Sequence, residues 1–457
     1  MKTLRSYTPL VLGALIEECW TFHGVHSFHS PVSFHRRHTI QHDASSATLP
    51  MAKSKTATKK KKGVSVSGLR GFGSPSSTST TTTSGGVIDR SKSALLFYDF
   101  LEVNGGGSNL KRVGLGQVPL PGTDCSIRGV IALQDIRKGD PIIEIPYEMA
   151  LDFGRENADP TLPATSFLQM YCQWKSGGES GVIVGGGRRK KIGDYFAMLP
   201  PYQCSDCLGS TDFFSDTALE MMQSPLIVEE TLSRRKLVKA RFERDIETMA
   251  AMSSNLYRWK NGEDDDSEIA TFSHLQWATW LVTSRVLTVQ ARTLDGTVPH
   301  RLFIPFIDMC NHDRDSPHIL SGRAEPGGML KVIAGADVKA GEAIDISYGG
   351  GVEGNDRFIQ DYGFLDSGGS MERASGRAVA EAYRVVAKKL LSLGKQSSRI
   401  MSRISVADQE RALEALKLTS LEEDERLLSS GKVLNNDERM ALEYRIGLKR
   451  AIQEVTG

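Results

Sequence analysis

Residues 303–313 read FIPFIDMCNHD and residues 345–351 read DISYGGG. In the first stretch an apolar run with strand composition ends on Asp308, Asn311 and His312. In the second, Tyr348 closes another apolar strand just before a glycine turn. DYGFLD (361–366) follows shortly and adds Tyr362 and Phe364. Polar side chains at the ends of apolar strands are either satisfied braces or members of a site. Singly, each of these reads as a brace. Their occurrence in this order, in one β-rich block, marks a candidate site.

Outward from that block, the chain alternates between β-rich and helical text. SIRGVIAL (126–133) and PIIEIPYEM (141–149) flank Lys138-Gly139-Asp140, a turn between two strands. From about Ala164 to Arg292 the pattern turns helical, with Leu232, Leu237, Phe242 and Ile246 at helix-like intervals. SHLQWATWLVTSRVLTVQ (273–290) reads as one apolar helix opened by Ser273 as N-cap. KSGGESGVIVGGGRRKK (175–191) and the acidic NGEDDDSE (261–268) read as surface loops. Strands return over Arg301–Phe364, and the remainder is helical. In it Met440, Tyr444, Leu448, Ile452 and Val455 form one apolar stripe, expected to be a packing face.

Charge and motif content narrow the function. The 457 residues carry 56 Lys and Arg against 55 Asp and Glu. Residues 1–88 hold 11 of the basic residues against only three acidic ones, which leaves 45 against 52 for the body. A mildly acidic body argues against a nucleic-acid-binding surface. No apolar run approaches the ~20 residues that span a bilayer. Six cysteines in so long a chain make no disulfide framework. Phosphate-loop, HExxH and GxSxG motifs are absent, and no glycine triplet sits in a GxGxxG frame. Cys204 and Cys207 form a lone CxxC without a second ligand pair, so no metal is expected. Cys310, beside Asn311 and His312, has no base at a recognisable spacing to make it a nucleophile.

Residues 1–88 are poor in core-forming sequence, with six of the ten histidines between His23 and His42 and a Ser/Thr run at 74–84. Lys2 and Arg5 before the apolar stretch Pro9–Ile16 suit an organellar presequence. A nuclear address at Lys59–Lys62 and a plain solvated tail are the competing readings.

RGVIAL, DIRKGD, EIP, WATWLVTSR, PFIDMCNHD, GEAIDISYG and DYGFLD, in that order, resemble the SET-domain protein methyltransferases. Within them the sequence is similar to the group of the Rubisco large-subunit lysine methyltransferase, in which a helical insert splits the SET domain. DYFAMLPPYQCSDCLGSTDFFSDTALEMMQSPL (194–226) resembles the opening of that insert. The resemblance spans Leu95 to Asp366 and, more faintly, the helical tail. It implies an α+β fold: a β-rich SET domain interrupted by a helical insert and followed by a short helical domain. The expected divisions are a leader (1–88), a first SET half (89–159), the insert (160–292), a second SET half (293–370) and a substrate-binding-like helical domain (371–457). It implies S-adenosylmethionine as cofactor, met by the backbone of Arg128, Gly129 and Val130, by Arg285 at its carboxylate, and by Asn311 at its amino-acid part. His312 would meet the adenine through its backbone, Phe364 would pack on the cofactor, and Asp308, placed with this group, would brace the turn. Tyr348 would be the active-site tyrosine, with Tyr362 beside the acceptor channel.

The sequence departs from the family at Asp313, where serine is frequent, and in the longer turn GGGVEGNDRF after Tyr348, where Asn355 aligns with the family's asparagine. The tail is short for the family. The expectation is therefore a monomeric, S-adenosylmethionine-dependent protein-lysine methyltransferase acting on a non-histone protein, with no nucleic-acid or membrane partner. A plastid is the first-choice compartment. Two alternatives stand beside it: a histidine acceptor, and a catalytically idle SET fold serving as a binding module.

Overall fold

A computed structural model describes residues 87–119, 126–156, 159–177, 181–183, 189–204, 208–252, 256–260, 267–293, 296–351, 353–369, 379–391, 404–430 and 434–457. The presequence reading and Cys207 lie outside the described residues.

The first half of the β-rich region is built from β1 (Val87–Ile88), β2 (Val113–Pro119), β3 (Ser126–Ala132), β4 (Pro141–Pro146) and β5 (Leu151–Arg155). Helix Lys92–Val103 packs over them, opened by Ser91, whose Oγ accepts from the Ala94 N–H at 3.2 Å. Because β1 pairs with β2, the ordered sheet begins two residues before the expected leader boundary. The insert contributes two small antiparallel hairpins, β6 (Gly181–Ile183) with β7 (Arg189–Lys191) and β8 (Arg258–Lys260) with β9 (Ser267–Ile269). Both stand where sequence alone gives loops. The second half holds β10 (Leu287–Thr293), β11 (Gly296–Phe303), β12 (Ile319–Ser321), β13 (Met329–Ile333) and β14 (Ala343–Ile344). Three antiparallel sheets result, in the orders β1-β2-β3-β14, β10-β11-β5 and β12-β13-β4, so each contains strands from both halves.

The apolar run after Thr271 is two elements. Helix Phe272–Arg285 is capped by Thr271, not Ser273, with His274 completing the capping box, and it stops at Arg285. Val286, Thr288 and Val289 are β-branched, and the chain after Arg285 continues as β10. The second half therefore starts at Leu287 rather than at 293. On helix Pro225–Arg241, Ile227, Thr231 and Val238 face inward, whereas Leu232 and Leu237 are exposed.

Two hydrophobic cores follow. The larger joins the sheets to helices Lys92–Val103, Thr161–Lys175 and Phe272–Arg285, with Phe167 and Tyr171 against Trp277 at 5.8 and 5.0 Å between ring centroids. The smaller holds the C-terminal helices Glu381–Leu391, Val406–Ala415 and Asn436–Thr456 against Phe214–Ile227 of the insert. The stripe from Met440 to Val455 lies in it, so it is a packing face. Among the described residues, no helix is long and apolar enough to cross a membrane, and no group of His, Cys, Asp and Glu is placed to hold a metal ion.

Candidate active site

The turn after β11 begins under strain. Phe306 has φ 78° and ψ −44°, a backbone region that costs a bulky residue ~1–3 kcal/mol. Its ring is fully buried, edge-on to Phe97 at 6.0 Å, and this packing holds it. The strained residue turns the chain into the one-turn 3-10 helix Ile307–Met309 and delivers Asp308, Cys310, Asn311 and His312 to one place. There the chain runs beside the segment after β14. The Ile346 N–H donates to the Asn311 carbonyl at 2.8 Å and the Asp313 N–H to the Ile346 carbonyl at 3.2 Å. This pairing brings Tyr348 to the turn.

Asp308 is the buried anchor. Tyr195, on the insert, donates its hydroxyl to Asp308 Oδ2 at 2.7 Å. Arg285, the last residue of its helix, donates from Nη1 to the Asp308 carbonyl at 2.8 Å and places a guanidinium nitrogen 3.8 Å from Oδ2. Burial pushes the Asp308 carboxyl up to about 6, against the opposing pull of Arg285 and the Tyr195 hydrogen bond. Three buried atoms here lack a hydrogen-bond partner: Arg285 Nε, Asp308 Oδ1 and His312 Nε2. Unpaired buried donors and acceptors are costly, and their clustering is what a polar ligand's site looks like without the ligand.

Asn311 reaches across to β3, where its Nδ2 donates to the Arg128 carbonyl at 3.2 Å. Gly129 allows that approach: a Cβ there would stand 2.4 Å from Asn311 Nδ2. The Arg128 side chain donates to the Met198 carbonyl, and its charge is felt by Asp308. Val130 is a core residue paired with Leu115 on one side and Ile344 on the other.

His312 Nδ1 accepts from the Tyr348 N–H at 3.0 Å, which assigns the proton to Nε2 in the neutral ring, 3.7 Å from Asp366 Oδ2. The Tyr348 hydroxyl donates to the Cys310 carbonyl at 2.7 Å. Its ring stacks on Tyr362 at 4.9 Å and 28°, and Phe358 and Phe364 complete an aromatic wall with His312. Tyr362 closes the π-helical turn Phe358–Tyr362, which Gly363 ends in the left-handed conformation at φ 87°, and Phe364 follows that glycine. A single-turn π-helix is frequently found at a functional site. Burial raises both tyrosine hydroxyls well above their ordinary value, so both stay protonated at neutral pH. The Cys310 thiol is likewise pushed up by burial, which removes it as a nucleophile.

The structure thus brings Gly129, Arg285, Asp308, Asn311, His312, Tyr348, Tyr362 and Phe364 together; Arg128 and Val130 adjoin the site through their backbone. Sequence reading missed two supports, Tyr195 and Arg314, and noted a third, Asn355, only by its alignment. Tyr195 lies 113 positions before its partner Asp308. Arg314 bonds Asp366 at 2.9 Å and sits over the Phe358 ring at 5.7 Å. Asn355 pins the Asp366 backbone through both its amide atoms, at 3.0 and 2.7 Å. A charged Arg314 immediately after the NHD segment was the other signal in the sequence for this second layer.

The model of the SET domain family matches residues 127–349. Among solved structures, Rubisco LSMT bound to AdoMet is similar at 17% identity, over 80% of this chain and 91% of that one, with a TM-score of 0.48. The SET domain of LSMT bound to lysine and AdoHcy is similar at 17% identity, over 80% and 90%, with a TM-score of 0.49. No curated protein matches the chain.

Proposed function

From the premise that residues 127–349 are a SET domain, we propose that this protein is an S-adenosylmethionine-dependent methyltransferase acting on a lysine side chain of a non-histone protein. The observation that carries the reading is the Tyr348 hydroxyl, tied to the Cys310 carbonyl on the same turn that bears Asn311 and Asp308, whose Oδ1, like Nε of the adjoining Arg285, lacks a hydrogen-bond partner. An acceptor-side tyrosine and a polar cofactor cradle thereby share one short piece of backbone.

The residues fit the cofactor. Arg285 Nε is a buried donor without a partner, suited to a carboxylate, and Gly129 leaves open the space beside Asn311 that a side chain would fill. Arg285, Asn311 and the backbone around Gly129 would hold its amino-acid end, and His312 and Phe364 would pack on the rest. When bound, S-adenosylmethionine supplies an already activated methyl group. What the protein contributes is alignment, and positioning of that kind can supply ~7–11 kcal/mol. The Tyr348 hydroxyl donates its hydrogen bond to the Cys310 carbonyl and keeps its lone pairs to accept from an entering amine. Since both tyrosines remain protonated, neither is a base. The amine instead sheds its proton to solvent as it enters the aromatic wall, where desolvation lowers its pKa. We place the protein in a plastid, to be tested by fusing residues 1–88 to a fluorescent protein.

Calorimetry with S-adenosylmethionine on the full chain, beside Arg285→Ala and Asn311→Ala, tests the cofactor site. Tight binding lost in both variants supports it, and a folded wild type that does not bind overturns it. Transfer of tritiated methyl into cell-extract protein, followed by acid hydrolysis, then separates methyl-lysine from methyl-histidine. No transfer by a protein that binds the cofactor would leave the idle-module reading.

A further inference from the structure

The turn Phe358–Tyr362 is held from the insert at every step. Helix Pro225–Arg241 presents Arg234, whose Nη1 meets Asp361 Oδ1 at 2.6 Å while Nη2 lies 2.8 Å from Asp212 Oδ2. One helical turn earlier, Glu230 accepts from Arg357 Nη1 at 2.9 Å, the same nitrogen that serves Gln360 Oε1. Ser210 donates to the Gln360 carbonyl at 2.7 Å, and Trp280 Nε1 to the Tyr362 carbonyl at 3.4 Å. Arg234, with its side chain 14% exposed, lies between carboxylates from two different parts of the chain. Arg234 thus hydrogen-bonds one carboxylate, Asp361, and ion-pairs with the other, Asp212.

We infer that Arg234 is a positioning residue of the active site, setting the place of Tyr362 against Tyr348 by holding the adjacent Asp361. The inference extends the methyltransferase reading, but it concerns an arrangement that exists whatever the reaction. Tyr362 stacks on Tyr348 through a turn whose π-helical hydrogen bonding is less regular than an α-helix, so its ring placement follows its tethers. Arg235, the next residue, provides a contrast. It donates only to the carbonyls of Thr211, Asp212 and Phe214, within the insert itself. Its loss weakens the same region without touching the turn that bears Tyr362.

The test uses the full chain labelled with 3-fluorotyrosine, with the Tyr362 19F resonance assigned by Tyr362→Phe. Arg234→Gln and Asp361→Asn should both move the Tyr362 resonance, and Arg235→Gln should leave it in place although it also lowers the melting temperature. Should Arg234→Gln fail to fold, Asp361→Asn carries the test, since it keeps the side-chain shape and removes only the charge. In parallel, S-adenosylmethionine affinity should stay within about twofold while kcat on a lysine-containing peptide pool falls about tenfold or more in the Arg234 and Asp361 variants. An unmoved Tyr362 resonance in both variants, or an equal shift in Arg235→Gln, overturns the inference. A wild type without methyl transfer would refute the methyltransferase reading instead, and the resonance would still decide the role of Arg234.

Discussion

Gly129→Ala is the substitution that most directly challenges the cofactor cradle. The added methyl carbon would lie 2.4 Å from Asn311 Nδ2 and 3.2 Å from Val118 Cγ2. Ordinary contact is about 3.5–4.0 Å, so the Asn311 amide must withdraw by roughly 1 Å or more. That movement breaks its 3.2 Å hydrogen bond to the Arg128 carbonyl, costing ~0.5–1.5 kcal/mol. Overpacking beside Val118 adds ~1–3 kcal/mol. The variant should therefore fold with a stability loss of ~2–4 kcal/mol, read from the urea midpoint. If Asn311 also bonds the cofactor, losing that contact weakens binding by about 10- to 100-fold, at ~1.4 kcal/mol per tenfold. Gly114→Ala is the control, because a Cβ there meets only Leu133 at 3.5 Å or more; its affinity should stay within about twofold of wild type. A folded Gly129→Ala protein that binds S-adenosylmethionine as tightly as wild type would refute the cradle.

Three further outcomes are expected. Tyr348→Phe deletes the 2.7 Å bond to the Cys310 carbonyl; it should leave cofactor affinity within about threefold yet cut methyl transfer by ~10- to 100-fold in single-turnover assays, and unchanged turnover would exclude the hydroxyl from the reaction. Asp308, raised to about 6 from 3.8, holds a proton in the native state that the unfolded chain has already released, so it makes stability fall as pH rises across that window. Asp308→Asn should remove this slope from a pH series of urea midpoints. Asp366 acts in the opposite sense in a separate window: burial raises its carboxyl, but His312, the Gly368 N–H and Arg314 outweigh it and hold it at about 2, so its contribution is lost as pH falls from 3.8 towards 2. Asp424 accepts from Arg445 at 2.6 and 3.0 Å and from Lys449 at 2.7 Å inside the C-terminal helices. Asp424→Ala strands both cations and should cost ~3–5 kcal/mol, whereas a loss below ~1 kcal/mol would show that they find water.

The site was legible where chemistry interrupts apolar strands. Asp308, Asn311, His312 and Tyr348 stand out because each ends a run that otherwise reads as buried β-structure. The helix from Thr271 was legible in type but not in length, since apolar periodicity alone does not register that Val286, Thr288 and Val289 prefer a strand. Leu232 and Leu237 lie on a helix, as read, but on its exposed side. Five positions apart, they do not share one helical face, whereas Ile227, Thr231 and Val238 do and are buried. Tyr195 and Arg234 could not be read at all. Each acts on a residue more than a hundred positions away, and a lone tyrosine or arginine on a helix has no local pattern that distinguishes a brace from a solvated side chain.

That dependence on distant partners follows from where the insert enters and leaves. The chain departs from β5 at Arg155 and returns into β10 at Leu287, and both strands pair with β11, where Leu302 faces Asp152 on one side and Leu287 on the other. The two ends of the insert are thus fixed in one three-stranded sheet. Since the cost of closing a loop grows only slowly with its length, a long insertion is tolerated there. Once present, it packs on both sides of the site: Tyr195 secures Asp308 in the larger core, and Arg234 secures the turn whose Ile359 lies in the smaller one. Tyr348 packs against the larger core, whereas the turn that ends in Tyr362 places Ile359 in the smaller core and is tied to Trp280 of the larger one. A shift of helix Pro225–Arg241 would act on Tyr362 through Asp361, whereas Asn311 is held from β3. In such an arrangement, acceptor geometry can vary while the cofactor cradle stays constant.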